Sequence, residues 1–154
     1  MTEFDFYNNP SINSPVFLYV KLTQTLDQTD KKGQPFTLVE FRVAPVKTDL
    51  GGQCLYSKIY RTAKAEAMWS GFRASFRFHG YDAQSAIGRF AKVYLVPSKW
   101  QDHRYSTVEF VRQMTRDIRR IVELERLHEM GALPWGARDE DEAAEMVQQA
   151  LAQQ

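Results

Sequence analysis

The clearest signal along the chain is the alternation of apolar and polar residues. From Val16 to Leu26, Val16, Leu18, Val20 and Leu22 fall on one face, with Phe17, Tyr19, Lys21 and Thr23 on the other. A period of two predicts a strand with two unlike faces. Asp27 to Gly33 is a polar turn closed by glycine. Phe36 to Ala44 resumes the alternation, with Thr37, Val39, Phe41 and Val43 opposed to Phe36, Leu38, Glu40 and Arg42. After a loop at Thr48–Gly52, Cys54 to Arg61 reads as a third strand, with Leu55 and Ile59 against Tyr56, Lys58 and Tyr60. Arg89 to Val96 is a fourth, ended by Pro97.

Helical signals are fewer. Thr62 is an N-cap for the alanine-rich run Ala63–Trp69. Beyond Gly71 the pattern fits two structures: Phe72 and Phe76 a helix turn, Ser75–Phe78 a short strand. Ser106-Thr107-Val108-Glu109 has the form of a capping box, so a helix is expected from Ser106. Its apolar stripe would be Val111, Met114, Ile118, Ile121 or Val122, and Leu127, with Gly131 as C-cap and Pro134 as stop. Asp139–Ala150 reads as a short helix with an acidic head. The opening segment, with Asn9-Pro10 and Ser14-Pro15, is extended. The expected organisation is an N-terminal arm (1–15), a β-rich domain (16–105), an amphipathic helix on that body or on a partner (106–131), and a linker with an acidic tail or helix (132–154).

A length of 154 residues, 44% hydrophobic and 25% charged, is that of one globular domain. No apolar run reaches the roughly 20 residues of a membrane span. The acidic start Met1-Thr2-Glu3-Phe4-Asp5 is unlike a secretory signal, and the single Cys54 allows no internal disulfide. A cytoplasmic location is the expectation. Residues 137–154 hold one Arg against five acids, net −4, so the preceding chain holds nineteen bases against fourteen acids, net +5. A basic body with an acidic tail points to a polyanion partner and a competing tail; the plainer reading is that the acids head a terminal helix.

Candidate chemistry favours binding over catalysis. His79, His103 and His128 lie in separate elements, and no hydrolase, zinc-protease or phosphate-loop motif occurs. Asp102-His103 in a polar stretch reads as solvated, and Cys54 as a small core residue. No enzyme activity, metal site, cofactor or small-molecule substrate is expected. Bases and aromatics interleave instead: Tyr56, Lys58, Tyr60 and Arg61; Arg73, Arg77 and Tyr81; Lys92, Tyr94, Lys99 and Trp100. Single-stranded nucleic acid is bound by this combination, cations following phosphates and rings stacking on unpaired bases. Taken one at a time, each of these residues is more often core or ordinary surface than part of a site; the clustering carries the argument. The arginines of the C-terminal helix are read first as a solvated face with intrahelical ion pairs.

Two long strands, a third strand, a helix and a further strand follow the order of an OB-type five-stranded barrel. The stretches Phe17–Leu22, Lys31–Phe36 and Val39–Val43 resemble the opening hairpin of single-stranded-DNA-binding proteins, most of all those of phages and integrative mobile elements. That resemblance covers about Val16 to Val96 and implies a binding surface with Lys21, Lys31, Lys32, Arg42, Tyr56, Lys58 and Tyr60 on it. Bacterial members end in an acidic tail with an apolar tip, whereas this chain ends Leu151-Ala152-Gln153-Gln154. The expected fold is therefore mainly β with α, an OB-like five-stranded barrel with a C-terminal helical extension. The expected function is non-catalytic binding of single-stranded nucleic acid, DNA before RNA, in replication or recombination of a mobile element. Self-association through the C-terminal helix or N-terminal arm is a further expectation. The alternative is a protein–protein interaction module, an inhibitor or adaptor using the same sheet.

Overall fold

The computed structural model describes residues 9–46, 48–97, 106–133, 135 and 140–152. Its centre is an antiparallel five-stranded sheet of order β3-β2-β1-β4-β5. The strands are β1 (Val16–Thr29), β2 (Pro35–Val43), β3 (Cys54–Tyr60), β4 (Phe90–Pro97) and β5 (Ser106–Phe110). Helix α1 (Glu66–Phe76) lies between β3 and β4, and α2 (Thr115–Glu129) and α3 (Glu140–Ala152) follow β5. The fold is thus mixed α/β, and none of the helices described is long and apolar enough to cross a membrane.

The alternation of β1 to β4 sends one set of side chains inward, as its period requires. Leu18, Val20, Leu22, Val39, Phe41, Leu55, Ile59, Val93 and Leu95 meet Trp69, Phe72 and Phe76 of α1 in the main core. Trp69 Nε1 donates to the Tyr60 carbonyl oxygen at 2.8 Å, which fixes α1 against the end of β3. A smaller cluster lies on the outer side, where Ile121, Leu124 and Leu127 of α2 and Leu133 cover Phe90 and Ala44. Val147 of α3 packs against that cluster, so the acidic tail is in part a docked helix.

Several expectations need correction. Ser106–Phe110 is a strand, not the first turn of a helix. Ser106 and Val108 are buried while Thr107 and Glu109 are exposed, and the segment pairs with β4 from Pro97↔Ser106 to Val93↔Phe110. A serine three residues before a glutamate is a capping signal only if the chain turns helical, and here the β4 edge supplies a ladder instead. The helix starts at Thr115, where the Asp117 carboxylate accepts from the Met114 N–H at 3.0 Å. Its apolar stripe is also divided: Ile121, Leu124 and Leu127 are buried, whereas Met114, Ile118 and Val122 are about half exposed.

Thr62 makes no side-chain cap; a 3-10 turn at Ala63–Ala65 leads into α1. The helix runs on through Gly71 to Phe76, which settles the ambiguity there in favour of helix. A Cβ at Gly71 would lie 3.1 Å from Phe110 Cβ, so glycine is what lets α1 approach β5. Cys54 is exposed rather than in the core.

Among the described residues no backbone ladder joins β3 to β5, so the sheet is not closed, although Cα atoms of the two strands come within 8 Å. The gap is bridged by Asn9, which is only 8% exposed. Its Oδ1 accepts from the Tyr56 N–H at 2.6 Å, and its Nδ2 donates to the carbonyls of Tyr56 at 3.0 Å and Ser106 at 2.9 Å. One side-chain amide thus imitates a peptide on both edges, and Ser106 Oγ adds a bond to the Pro10 carbonyl at 2.7 Å. Asn9→Ala is expected to cost about 1–3 kcal/mol, because it strips partners from buried backbone groups. Hydrogen exchange should show the Tyr56 amide losing protection; unchanged protection would refute the bridge.

Candidate nucleic-acid interface

The outer face of β1, β2 and β3, on which Phe36 and Leu38 are themselves buried, is ordered in three rungs. The register places Gln24, Glu40 and Tyr56 across from one another, then Leu26, Leu38 and Lys58, then Gln28, Phe36 and Tyr60. A β-bulge between Leu22 and Gln24 makes this possible. Before it the even residues of β1 point to the core; after it Gln24, Leu26 and Gln28 join the outer face. Leu26 is exposed there at 40%.

Side chains on this face are held by specific contacts. Lys58 Nζ lies 4.5 Å from the centre of the Phe36 ring and 4.9 Å from that of Tyr60. The Tyr60 hydroxyl donates to Asp30 Oδ2 at 3.1 Å. Asp30 also accepts from the N–H groups of Lys32 and Gln34, and these contacts, Gln34 first, hold its carboxyl below the usual range. The turn that carries Lys31 and Lys32 is therefore tied to the aromatic rung. Gly33 completes it with φ 80°, a conformation that favours glycine. Burial, with the neighbouring Glu40 and Cys54, pushes the Tyr56 phenol up to about 12. Both tyrosines are half-buried.

The remaining candidates fall elsewhere. Lys21 and Arg42 sit under the C-terminal segment, with Arg42 Cζ 4.3 Å from the centre of the Trp135 ring. Lys21 Nζ is 2.8 Å from His128 Nε2, so it donates to a neutral imidazole. Burial, then Lys21 and Arg42, lower the His128 pKa against the opposing charge of Glu129. Arg61 pairs with Asp27 at 2.5 Å, and Arg73 pairs with Glu66, both beside the Tyr81 ring. Arg77 ends α1 with φ 63° and pairs with Glu125 of α2 at 2.5 Å. Lys92 donates to Asp117 at 3.1 Å and lies over Phe17, which stacks on Tyr94 at 4.6 Å. Phe17, which is exposed, and Tyr94, which is half-buried, form an aromatic pair at the far end of β1. Trp100 lies outside the described residues.

The structure therefore brings together Tyr56, Lys58, Tyr60, Lys31 and Lys32, and disperses the others. Gln24, Leu26 and Gln28 were missed as members of the face, and Phe36, which the alternation placed with Glu40 and Arg42, was not singled out as a site residue. Only the bulge places the first three there, and no residue type in the sequence announces it. Among the described residues, no group of three or more His, Cys, Asp and Glu is placed to hold a metal ion.

The Lys21–His128 contact has a consequence for pH. A folded-state pKa below the unfolded value means that the unfolded chain takes up the proton more readily. The stability from neutral His128 is complete above its unfolded value and is lost as pH falls through the lowered folded one. His128→Gln is expected to flatten the fall in denaturation midpoint between pH 7.5 and 5. An unchanged fall would show that His128 does not carry it.

No protein-family model matches this sequence, and no curated protein matches it.

Proposed function

We propose that this protein binds single-stranded nucleic acid, DNA before RNA, on the outer face of β1–β3, without catalysing a reaction on it. The observation that carries the reading is the alignment of Tyr56, Lys58 and Tyr60 on one face of β3, beside the turn that holds Lys31 and Lys32. Half-buried aromatic rings can stack on unpaired bases at little entropic cost, and the lysines neutralise the phosphates between stacked bases. Strand order and the position of α1 support an OB-type barrel whose closing edges are β3 and β5, bridged by Asn9. Such barrels bind oligonucleotides on the strand 2–3 face and through the loops after strands 1 and 4. Lys99, Trp100, Arg104 and Tyr105 fall between β4 and β5 in sequence.

The half-exposed Met114, Ile118 and Val122 favour a protein contact as well, but on α2. A second copy or another protein held there would leave the sheet face free.

Fluorescence titration of labelled oligo-dT and of labelled duplex, each at two salt concentrations, tests the proposal. Tighter binding of the single strand, weakening as salt rises, is the expected result. Equal or absent binding of both forms at low salt would overturn it in favour of the interaction module.

A further inference from the structure

A carboxylate stands in the first rung of a face proposed to bind a polyanion. Glu40 is placed on β2 between Gln24 of β1 and Tyr56 of β3, and these three with Leu26 and Leu38 line a shallow depression. Its carboxylate is positioned rather than free to swing away: Thr23 Oγ1, at the bulge, donates to Oε1 at 2.7 Å, and the Tyr56 hydroxyl bonds to the same group. A carboxylate has about four lone-pair sites. Two hydroxyls occupy two of them and leave acceptor capacity on a group that lines the depression.

A fixed carboxylate there repels phosphate and accepts hydrogen bonds only from donors. Unpaired bases expose their Watson–Crick edges to such groups. Guanine alone presents two adjacent donors, N1–H and N2–H, which match the two oxygens of a carboxylate. Its O6 lies beside them as an acceptor. Thymine presents one donor between two carbonyl oxygens, and adenine and cytosine each present one amino group beside a ring nitrogen acceptor. Gln24, exposed on the same rung, has an amide N–H for O6, and the Tyr56 ring supplies a stacking surface.

We propose that Gln24, Glu40 and Tyr56 form a base-reading site selective for an unpaired guanine, with Glu40 accepting from N1–H and N2–H. The inference rests on the single-strand reading and gives it a base preference.

The test uses the full chain and a set of short oligo-dT strands, unmodified or with one central dG, deoxyinosine, dA or dC. The dG strand is expected to bind about tenfold or more tightly than dT, the discrimination of one bidentate pair. Deoxyinosine, which keeps N1–H and O6 but lacks the amino group, should fall between them. In Glu40→Gln the dG-to-dT ratio should drop to about one. If that variant fails to fold, the comparison of dG with deoxyinosine on the unmodified chain decides, and equal affinities overturn the proposal. A dG preference that survives in Glu40→Gln overturns the role of Glu40. Equal binding of all five strands overturns the guanine site alone, whereas no binding of any strand overturns the single-strand reading with it.

Discussion

Replacing Asp117 by alanine is expected to destabilise the protein by about 3 kcal/mol, at the lower end of what is lost when a buried ion pair is broken from one side. Asp117 is 1% exposed and accepts from three elements at once. Lys92 Nζ of β4 reaches it at 3.1 Å, the Tyr19 hydroxyl of β1 at 3.3 Å and the Met114 N–H at the head of α2 at 3.0 Å. Burial opposes its charge, yet the Met114 N–H, Lys92 and Tyr19 together hold the carboxyl below its ordinary value. Without it Lys92 loses its counter-ion while its side chain stays 16% exposed, and the first turn of α2 loses its reach-back bond. For a chain of this length the melting temperature should fall by roughly 6–12 °C. Asp117→Asn, which keeps the shape and one acceptor oxygen, should fall less. A melting temperature within a degree or two of the unmodified protein for Asp117→Ala would show that α2 is held by its apolar contacts alone. It would also release Lys92 as a candidate for phosphate.

The second large effect concerns binding. Changing Tyr56 and Tyr60 together to alanine is expected to weaken single-strand binding by about 1–3 kcal/mol for each base stacked. Stability should change far less, since both rings are half-buried and their hydroxyls bond to groups that water can reach, Glu40 and Asp30. Lys58→Ala is the companion measurement: the salt dependence of binding should become shallower, because one cation fewer meets the phosphates. A melting curve and an oligonucleotide titration on the double variant separate the two roles. A steep loss of melting temperature with normal affinity in the folded fraction would mean that these rings are packing residues, and the face would have to be withdrawn.

The correct and incorrect parts of the sequence reading have physical causes. β1 to β4 were legible because each is backed by a core on one side, so a period of two is imposed on every inward position. Tyr56, Lys58 and Tyr60 were legible for the same reason: with Leu55 and Ile59 inside, their neighbours had to face out. β5 was not legible, because Ser106-x-x-Glu109 satisfies a helix-start pattern while Ser106 and Val108 also satisfy strand alternation. Over five residues the two periods cannot be told apart. The stripe of α2 was only half legible, since an apolar band wider than the covering sheet leaves Met114, Ile118 and Val122 outside it.

By itself the sequence determined the inward set of the first four strands, the aromatic and basic side of β3, and the lack of any run able to span a bilayer as a helix. Those properties follow from local periodicity and composition. Tertiary structure decided the rest. Strand order and the β4 ladder made a strand of Ser106–Phe110. The bulge after Leu22 brought Gln24 beside Glu40 and turned a list of residues into rungs. Asn9 reached across the gap between β3 and β5, nearly fifty residues from one edge and nearly a hundred from the other. Lys21 and Arg42, alike in sequence to the lysines that stay open, were covered by α2 and Trp135. Each of these depends on which distant segment comes to lie alongside, and a period of two or 3.6 residues carries no information about that.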